Sequence, residues 1–458
     1  MTEASSQPNA RTREILQAPA LPVLLRMATP NAMAFVVQAS VSMTEVWYVG
    51  QLGTASLASM ALVFPGLMLM QMLANGSVGG SVAGAVAQAI GRGNIETAER
   101  LIWHAIVIAV VAGLGFMSLY LLFGKSLLST FGASTVVLEQ ANTYATILFC
   151  GSVTIWLMAL LSSIFRGMGN MVLPATLMVA TACIQIPLSG TLILGWFGMQ
   201  SLGITGAAIS IVTTSFIMTL VLLYKLQNAP VKLHINRLKL SIELFRSIYS
   251  VGLLASLSPL LIVFSVTSLN FLISEFGEAN LAGYGIGSRV EFLIIPLVFG
   301  VGVSMTAMVG INIGAGNIKR AEQISWMGGG IAALIAGLVG VILSIFPWLW
   351  VDIFTSDPVT VEAASMYLRI VGPAFAFLGL GLSLYFAAQG AGKIVWPIIA
   401  TFCRVFIAVF VSASGVYLFN LGLNFIYVCS AGALVIYGVI TVVGLKFSTW
   451  RALKKGSS

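Results

Sequence analysis

The sequence predicts an all-α polytopic membrane protein with twelve transmembrane helices. They form two six-helix lobes, related by a pseudo-twofold axis along the membrane normal. Three observations predict this fold: an apolar composition, a series of long apolar runs, and an internal repeat that covers most of the chain. The first two place the chain in a membrane, and the third divides it into two similar halves.

The composition is typical of a protein embedded in a lipid bilayer. Hydrophobic residues make up 59% of the 458 residues and charged residues only 8%, so the chain has more apolar surface than a soluble core can bury. A helix needs about 20 apolar residues to cross a bilayer. Twelve such runs cover residues 23–48, 56–88, 101–123, 142–165, 172–197, 203–225, 246–274, 280–312, 325–350, 362–388, 394–418 and 421–445.

The two halves of the chain repeat each other at a nearly constant spacing. Gly91, Gly93, Asn94 and Glu99 return 223 positions later as Gly314, Gly316, Asn317 and Glu322, and Gly167, Gly169 and Pro174 return as Gly390, Gly392 and Pro397. Gly53 and Ala55 return at a spacing of 224, as Gly277 and Ala279. Because several separated blocks keep one register, we infer that a six-span unit was duplicated.

The distribution of charge predicts the orientation of the chain. Basic residues collect in alternate loops, among them Arg92, Arg166, Lys225, Lys319 and Lys454, so this side is predicted to face the cytoplasm. Both termini then lie in the cytoplasm. Since each repeat has an even number of spans, the second copy enters the membrane in the orientation of the first. The net charge of +8 is spread over loops and does not form a nucleic-acid-binding face.

These boundaries divide the chain into five segments. Residues 1–22 form a cytoplasmic N-terminal segment, 23–225 the N-lobe, 226–245 a cytoplasmic linker, 246–445 the C-lobe and 446–458 a cytoplasmic tail.

The motifs of the common enzyme classes are missing from the sequence. Gly124, Lys125 and Ser126 resemble the end of a phosphate-binding loop, but Leu119 stands where its first glycine belongs. The chain has only two histidines, His104 and His234, and no spacing typical of a metal site. His104, beside Trp103, is predicted to be an interfacial side chain. We therefore expect no enzymatic activity, no cofactor and no bound metal.

Four repeated motifs resemble those of multidrug and toxic compound extrusion (MATE) transporters. Residues 49–58 (VGQLGTASLA) resemble the family's first outer loop, and residues 87–94 (AQAIGRGN) and 309–317 (VGINIGAGN) resemble the inner ends of its second and eighth helices. Residues 165–170 (FRGMGN) resemble the turn after its fourth helix. The resemblance implies two lobes around a central cleft and a multi-pass protein of the bacterial inner membrane.

Within the family, the branch of DNA-damage-inducible F (DinF)-like transporters is the most similar. That branch carries a proton-binding aspartate in the first helix, with a proline well before it, and Glu45 and Pro30 match these positions. Glu45 is therefore the candidate for proton coupling and Pro30 for a hinge. A carboxyl group inside a bilayer is costly unless it is protonated, paired or exposed to water, so the alternative is that Glu45 extends to the outer surface.

The sequence departs from this branch in the fifth span. Gln185 and Ser189 stand where the branch usually has an asparagine and a second aspartate, which suggests a simpler proton site. Leu260 and Leu261 occupy the region of the seventh span where the other main bacterial branch has an acid. We therefore expect H⁺ coupling in preference to Na⁺, which remains the alternative.

The C-lobe has intramembrane charges of its own: Arg289, Glu291 and Arg404. Glu291 and Arg404 each lie about 16 Å from a loop end at 1.5 Å per residue. Arg289 and Glu291 are two residues apart and project from different helix faces, which favours pairing of Glu291 with Arg404. The pair serves either the structure or transport.

Most of the nineteen methionines lie in the first half of the chain, including Met68 and Met72. Their adaptable side chains suit either helix packing or a polar N-lobe pocket, shared with Gln185 and Ser189, that accepts varied compounds.

The predicted function is secondary active efflux of organic compounds by proton antiport, with alternating access between the lobes. The expected partners are a small organic substrate, cationic or amphipathic, and the lipid bilayer, and the protein is expected to be a monomer. A flippase for a lipid-linked saccharide or peptidoglycan precursor is the alternative, although such a protein favours a more basic cavity. A membrane scaffold is a third class, but it needs neither Glu45 nor helices interrupted by proline.

Overall fold

The computed structural model describes residues 9–130, 134–234 and 239–455. Residues 1–8 of the predicted N-terminal segment, 235–238 of the linker and 456–458 of the tail lie outside the described part. Within it, eleven helices are long and apolar enough to cross a membrane, and one bent pair makes a twelfth. We number them α1 to α12.

The twelve helices follow one another with short connections. They are α1 (Ala20–Gly50), α2 (Thr54–Gly91), α3 (Ile95–Ser129), α4 (Thr135–Cys150 with Ser152–Gly167), α5 (Val172–Leu194), α6 (Ile204–Gln227), α7 (Ile242–Ser274), α8 (Glu278–Ser288 with Val290–Gly314), α9 (Ile318–Ile345), α10 (Pro358–Ala391), α11 (Val395–Phe419) and α12 (Leu423–Gly444).

Five predicted span boundaries are wrong by several residues, and three of them are both ends of the third span, which covers Ile95–Ser129, and the start of the ninth, at Ile318. The fourth span begins at Thr135 and not at 142, because its first two turns are helical despite their polar side chains, and it bends by 47° at Gly151. The ninth span ends at Ile345 and not at 350. Phe346 precedes Pro347, and a residue before proline is disfavoured in helical backbone.

A π-helical stretch in α2 explains why the spacing of the repeat changes. Between Gly53 and Gly91 the N-lobe has one residue more than the C-lobe has between Gly277 and Gly314. In α2 the residues Met72–Val78 form a π-helix, whereas the matching part of α8 is α-helical from Val290 to Gly314. A π-bulge absorbs one extra residue without breaking the helix, so both helices keep their ends in register.

The core has three parts. One apolar cluster is built from α1–α6 and extends through the linker to Ile248 of α7, and another lies within the C-lobe. The third combines Val23 and Leu24 of α1 with Val301 and Met305 of α8. This shared cluster also includes Trp450 of the C-terminal helix Trp450–Lys455. The lobes therefore share apolar core near the end of the molecule that carries both described termini, which we call the terminal end.

Glycine allows the lobes to meet closely at the terminal end. A Cβ atom on Gly91 would lie 2.1 Å from the carbonyl oxygen of Ile311 and 3.0 Å from Cα of Gly314. Nearby, Gln88 Nε2 donates to the carbonyl of Gly390 over 2.9 Å, and Gln389 Nε2 donates to that of Gly76 over 2.9 Å. The hydrogen bonds between lobes that involve described residues all lie in the half of the molecule nearer this end.

The predicted N-terminal segment is not simply an extended tail, because Ala10–Gln17 is a helix. Ile15 on this helix is buried, and Arg320 at the start of α9 donates to the carbonyls of Ile15 and Ala18. At the other terminus Lys454 lies 2.5 Å from Glu322 of α9. Both terminal helices thus contact the same edge of the C-lobe.

The prediction that His104 lies at the interface is wrong. His104 is fully buried, and its Nε2 accepts a hydrogen bond from the backbone N–H of Ser241 over 3.0 Å. The ring therefore holds the end of the linker against α3. Trp103 supports the same contact, because its Nε1 donates to the carbonyl of His234 over 2.9 Å.

Candidate functional site

The N-lobe encloses a cavity of about 280 Å³ between α1, α2, α4, α5 and α6. Its lining includes the predicted site residues Glu45, Met68, Met72 and Gln185. One aromatic residue of the C-lobe, Phe299 of α8, completes the wall. These four predicted residues thus line one space at the boundary between the lobes, whereas Ser189 and Pro30 are not among its lining residues.

Glu45 lies on the buried face of α1. Val41, Glu45, Tyr48 and Val49 are all buried, and spacings of three and four residues place them on one face of a helix. Glu45 is 4% exposed. Its side chain therefore does not extend to the outer surface, which was the alternative.

Two neutral side chains of α5 bind the carboxylate of Glu45. Gln185 Nε2 donates to Oε1 over 2.8 Å, and Ser189 Oγ donates to the same oxygen over 3.0 Å. Gln185 and Ser189 are four residues apart and therefore adjacent on one helix face. Oγ1 of Thr214 on α6 lies 3.4 Å from Oε1 of Gln185, next to the amide that donates to Glu45, while its own shortest acceptor is the carbonyl of Ser210 at 2.7 Å.

The second carboxylate oxygen, Oε2, receives no hydrogen bond from a described residue, and no described cation pairs with Glu45. A carboxyl group in such a setting can gain or lose a proton without breaking an ion pair. The arrangement can therefore hold a proton in one state and release it in another.

Pro30 lies inside α1, which continues through it as one helix. Proline removes one helical hydrogen bond and weakens the helix locally. The next residue, Asn31, is fully buried, and its Nδ2 lies 3.3 Å from the carbonyl of Met27 and 3.4 Å from Oγ of Ser304 on α8. The residue next to the predicted hinge thus contacts a helix of the C-lobe.

Methionine side chains, which are soft and apolar, make up part of the cavity wall. Besides Met68 and Met72, the wall contains Met158, Met178 and Met218. The prediction named only two of these five. The abundance of methionine in the first half indicates such a pocket, but their spacing does not reveal which ones meet across four helices.

Arg166 was predicted among the basic residues of the cytoplasmic loops, and this assignment is wrong. It lies one residue before the end of α4, is 3% exposed and lines the N-lobe cavity. This position is not evident from the sequence, because a basic residue at the end of a span usually faces the membrane surface. In the structure the last turn of α4 instead places this side chain in the cavity wall.

The C-lobe has a corresponding cavity of about 290 Å³, lined by Arg289, Glu291 and Arg404. Arg404 Nη2 lies 3.8 Å from Oε2 of Glu291, and the hydroxyl of Tyr367 donates to Oε1 over 3.3 Å. Arg289 lies at the break in α8, above the ring of Phe354 at 5.9 Å from its centroid. The structure thus brings Glu291 to Arg404, and leaves Arg289 apart from the pair.

Comparison with known proteins gives matches along most of the chain. The MatE family model matches residues 30–191 and 255–413, one stretch in each lobe. A probable multidrug resistance protein NorM of Thermotoga maritima is 27% identical over 392 residues, which cover 84% of this chain and 83% of that protein. The FAD transporter of Shewanella oneidensis is 24% identical over 395 residues, or 85% of this chain and 87% of that protein.

Solved structures show the same fold. One, the outward-facing conformation of a multidrug resistance MATE family transporter, is similar with a TM-score of 0.89 at 23% identity. The similarity covers 98% of this chain and all of the other. The predicted two-lobe architecture is therefore confirmed.

Proposed function

This chain belongs to the MatE family of multidrug efflux transporters, and from that membership we propose that it is a proton-driven antiporter. In the proposed cycle an organic compound leaves the cell while protons move inward. The coupling ion is H⁺ in preference to Na⁺.

The observation that carries this proposal is the setting of Glu45. Its carboxylate lies inside the cavity that we assign to the substrate, and its described hydrogen-bond partners are an amide and a hydroxyl. A proton bound there removes the cost of a charge in an apolar site. Because Glu45 and substrate share one space, occupation by one changes the affinity for the other, which is the requirement for exchange.

Alternating access supplies the transport step. The described hydrogen bonds between the lobes lie toward the terminal end, which supports a state closed at that end and open at the opposite end. We assign the terminal end to the cytoplasm, because basic residues collect in its loops. Both termini are then cytoplasmic, and the membrane is the bacterial inner membrane.

Bending of α1 at Pro30 would link proton binding to this motion. Glu45 is on the same helix as Pro30, and Asn31 beside the proline contacts Ser304 of the C-lobe. A change in the position of α1 therefore acts on both the cavity and the contact between lobes.

The substrates that fit the N-lobe cavity are organic molecules with apolar or aromatic surface, because five methionines and Phe35 and Phe299 line it. We include cationic and amphipathic compounds. The protein acts as a monomer within the lipid bilayer.

Uptake of ethidium into proteoliposomes tests the coupling. With an acidic lumen and the membrane potential clamped by potassium and valinomycin, ethidium should accumulate inside as protons leave. A sodium gradient of equal size without a pH gradient should not drive accumulation. Uptake driven by sodium alone, or by neither gradient, would overturn the proposed coupling.

A further inference from the structure

Arg166 lies at the inner end of the N-lobe cavity, apart from the proposed proton site. Its guanidinium carries a full positive charge, since arginine stays protonated in proteins. The side chain is 3% exposed, yet it lines the cavity. A buried charge of this kind usually has an acidic partner.

Arg166 has no such partner among the described residues. Its Nη2 contacts Sδ of Met178 at 3.7 Å, and a thioether is a weak acceptor. Its guanidinium carbon lies 5.6 Å from the ring centroid of Phe35, and its Nε is buried without a hydrogen bond. These contacts leave most of its hydrogen-bonding capacity unused.

The carboxylate in the same cavity does not neutralise Arg166. Glu45 lies ten residues after Phe35 on α1, which corresponds to about 15 Å along the helix, and Arg166 lies beside Phe35. The two charges therefore occupy opposite ends of the cavity. The cavity that holds both charges is also lined by five methionine side chains, which suit an aromatic or apolar body.

We propose that Arg166 binds a carboxylate or phosphate group of the transported compound, so that the cavity accepts amphipathic organic molecules with an anionic group at the end nearer the cytoplasm. A guanidinium pairs with either group through two parallel hydrogen bonds. This inference rests on the proposed function, because it assigns the N-lobe cavity to the substrate. It makes Arg166 a determinant of specificity and adds an anionic class of compound to the cationic class.

The probes are rhodamine 110, which has a free carboxylate, and rhodamine 123, which is its methyl ester. Binding to the purified protein in nanodiscs of neutral phosphatidylcholine is measured by fluorescence polarisation, without any gradient. The wild-type protein should bind rhodamine 110 more tightly than the ester by about tenfold, as expected for a charge-assisted hydrogen-bonded pair. Arg166→Met should abolish this preference.

Two further variants separate binding from folding. Arg166→Lys keeps the charge but loses the paired geometry, so it should retain a reduced preference for the acid. It serves as the test if Arg166→Met does not fold. Arg451 is an exposed arginine of the C-terminal helix, and Arg451→Met should keep the full preference. An equal preference in Arg166→Met and the wild type would overturn the inference.

Lipid composition distinguishes the two sources of an anionic group. If a lipid headgroup occupies the site, nanodiscs with anionic phosphatidylglycerol should weaken binding of rhodamine 110 to the wild type but not to Arg166→Met. If the site serves solutes, both lipid mixtures should give the same affinity. Either result requires Arg166 as the anion-binding residue.

The failure of this inference is distinguishable from failure of the proposed function. Ethidium has no acidic group, so its pH-driven uptake by the wild type tests transport alone. Uptake of ethidium without a preference for rhodamine 110 refutes only the role of Arg166. A preference without pH-driven uptake refutes only the proposed antiport.

Discussion

Glu45 differs from a structural acid in the kind of partner it has. A carboxylate that stabilises a buried helix pair usually faces a cation, whereas Glu45 faces Gln185 and Ser189. The sequence predicted the position of Glu45 from a resemblance. From the sequence alone, Gln185 and Ser189 are departures from the family pattern. They lie 140 and 144 positions after Glu45, and nothing in the sequence indicates that they contact it.

Replacement of Glu45 tests its role in coupling. Glu45→Gln should still bind ethidium but should lose pH-driven uptake by about tenfold or more, within the usual range of coupling between two ligands. The amide resembles a permanently protonated carboxyl group, so it cannot release a proton. Glu45→Asp should keep part of the activity. Wild-type uptake by Glu45→Gln in the proteoliposome assay would show that the proton binds elsewhere, with Glu291 as the next candidate.

The pair of Glu291 and Arg404 makes a separate prediction. Either Glu291→Arg or Arg404→Glu alone should lower the thermal unfolding temperature in detergent, since each places two like charges 3.8 Å or so apart. The double exchange restores opposite charges and should recover part of the loss. If the double variant is no more stable than the worse single variant, the pair does not stabilise the C-lobe.

At the scale of helices, α1 and α8 pack closely at Gly300 of α8, because glycine has no side chain to separate them. A Cβ atom on Gly300 of α8 would lie 2.7 Å from backbone atoms of Ala32, two residues after Pro30. The predicted proline hinge is therefore in contact with the C-lobe. No repeated motif or charge marked Gly300, so this contact was beyond prediction from one sequence.

Gly300→Ala should push α1 away from α8 and destabilise the protein by about 1–3 kcal/mol, as overpacking usually does. Gly330→Ala on α9 is the matched control, because a Cβ atom there meets nothing within 4 Å. Thermal unfolding in detergent measures the difference. Equal unfolding temperatures for the two variants would mean that α1 shifts at that point without cost.

The start of α10 has a pH-dependent cap. The side chain and the backbone N–H of Thr360 donate to Asp357, and these bonds hold the pKa of this exposed carboxyl below its usual value. The stabilisation is therefore complete above the ordinary pKa of 3.8 and is lost as the pH falls through the lowered pKa.

Asp357→Ala should accordingly lower the unfolding temperature at neutral pH and equally at mildly acidic pH. The difference from the wild type should shrink as the pH falls from the ordinary pKa of 3.8 to the lowered pKa, and its charge-dependent part should be absent below that pH. Unfolding curves recorded across that range check the sign. A difference that grows on acidification would contradict the capping role.

At the scale of the whole molecule, the sequence predicted the architecture better than the contacts between its halves. Duplication and apolar runs follow from patterns that a single chain displays, and the family match confirms the resulting membership. The position of Arg166 and the packing of Gly91 on Gly314 depend instead on how two lobes meet. The hydrophobic periodicity and the charge pattern of a single segment do not indicate how the two lobes contact each other.

Closure at the terminal end should depend on Gly91. Gly91→Val places atoms where the backbone of α8 lies, so the lobes should separate there. Spin labels at residues 92 and 319, which are exposed on opposite lobes, should report a longer distance by pulsed electron resonance. Gly115→Val, on an exposed part of α3 where a Cβ atom meets nothing within 4 Å, should leave the distance unchanged. An unchanged distance in Gly91→Val would exclude this contact as the closing element.

The π-helical stretch makes α2 one residue longer than α8 between the repeated glycines, and a deletion of one residue would remove this difference. Gln71, Met72, Asn75 and Gly76 lie in or beside it and line the N-lobe cavity. Removal of one residue there would give α2 the length of α8 between the repeated glycines. Because a π-bulge absorbs the extra residue locally, the deletion should convert this stretch to α-helix and leave the two ends of α2 in their present register. One inserted residue thus distinguishes the wall of the N-lobe cavity from the wall of the corresponding C-lobe cavity.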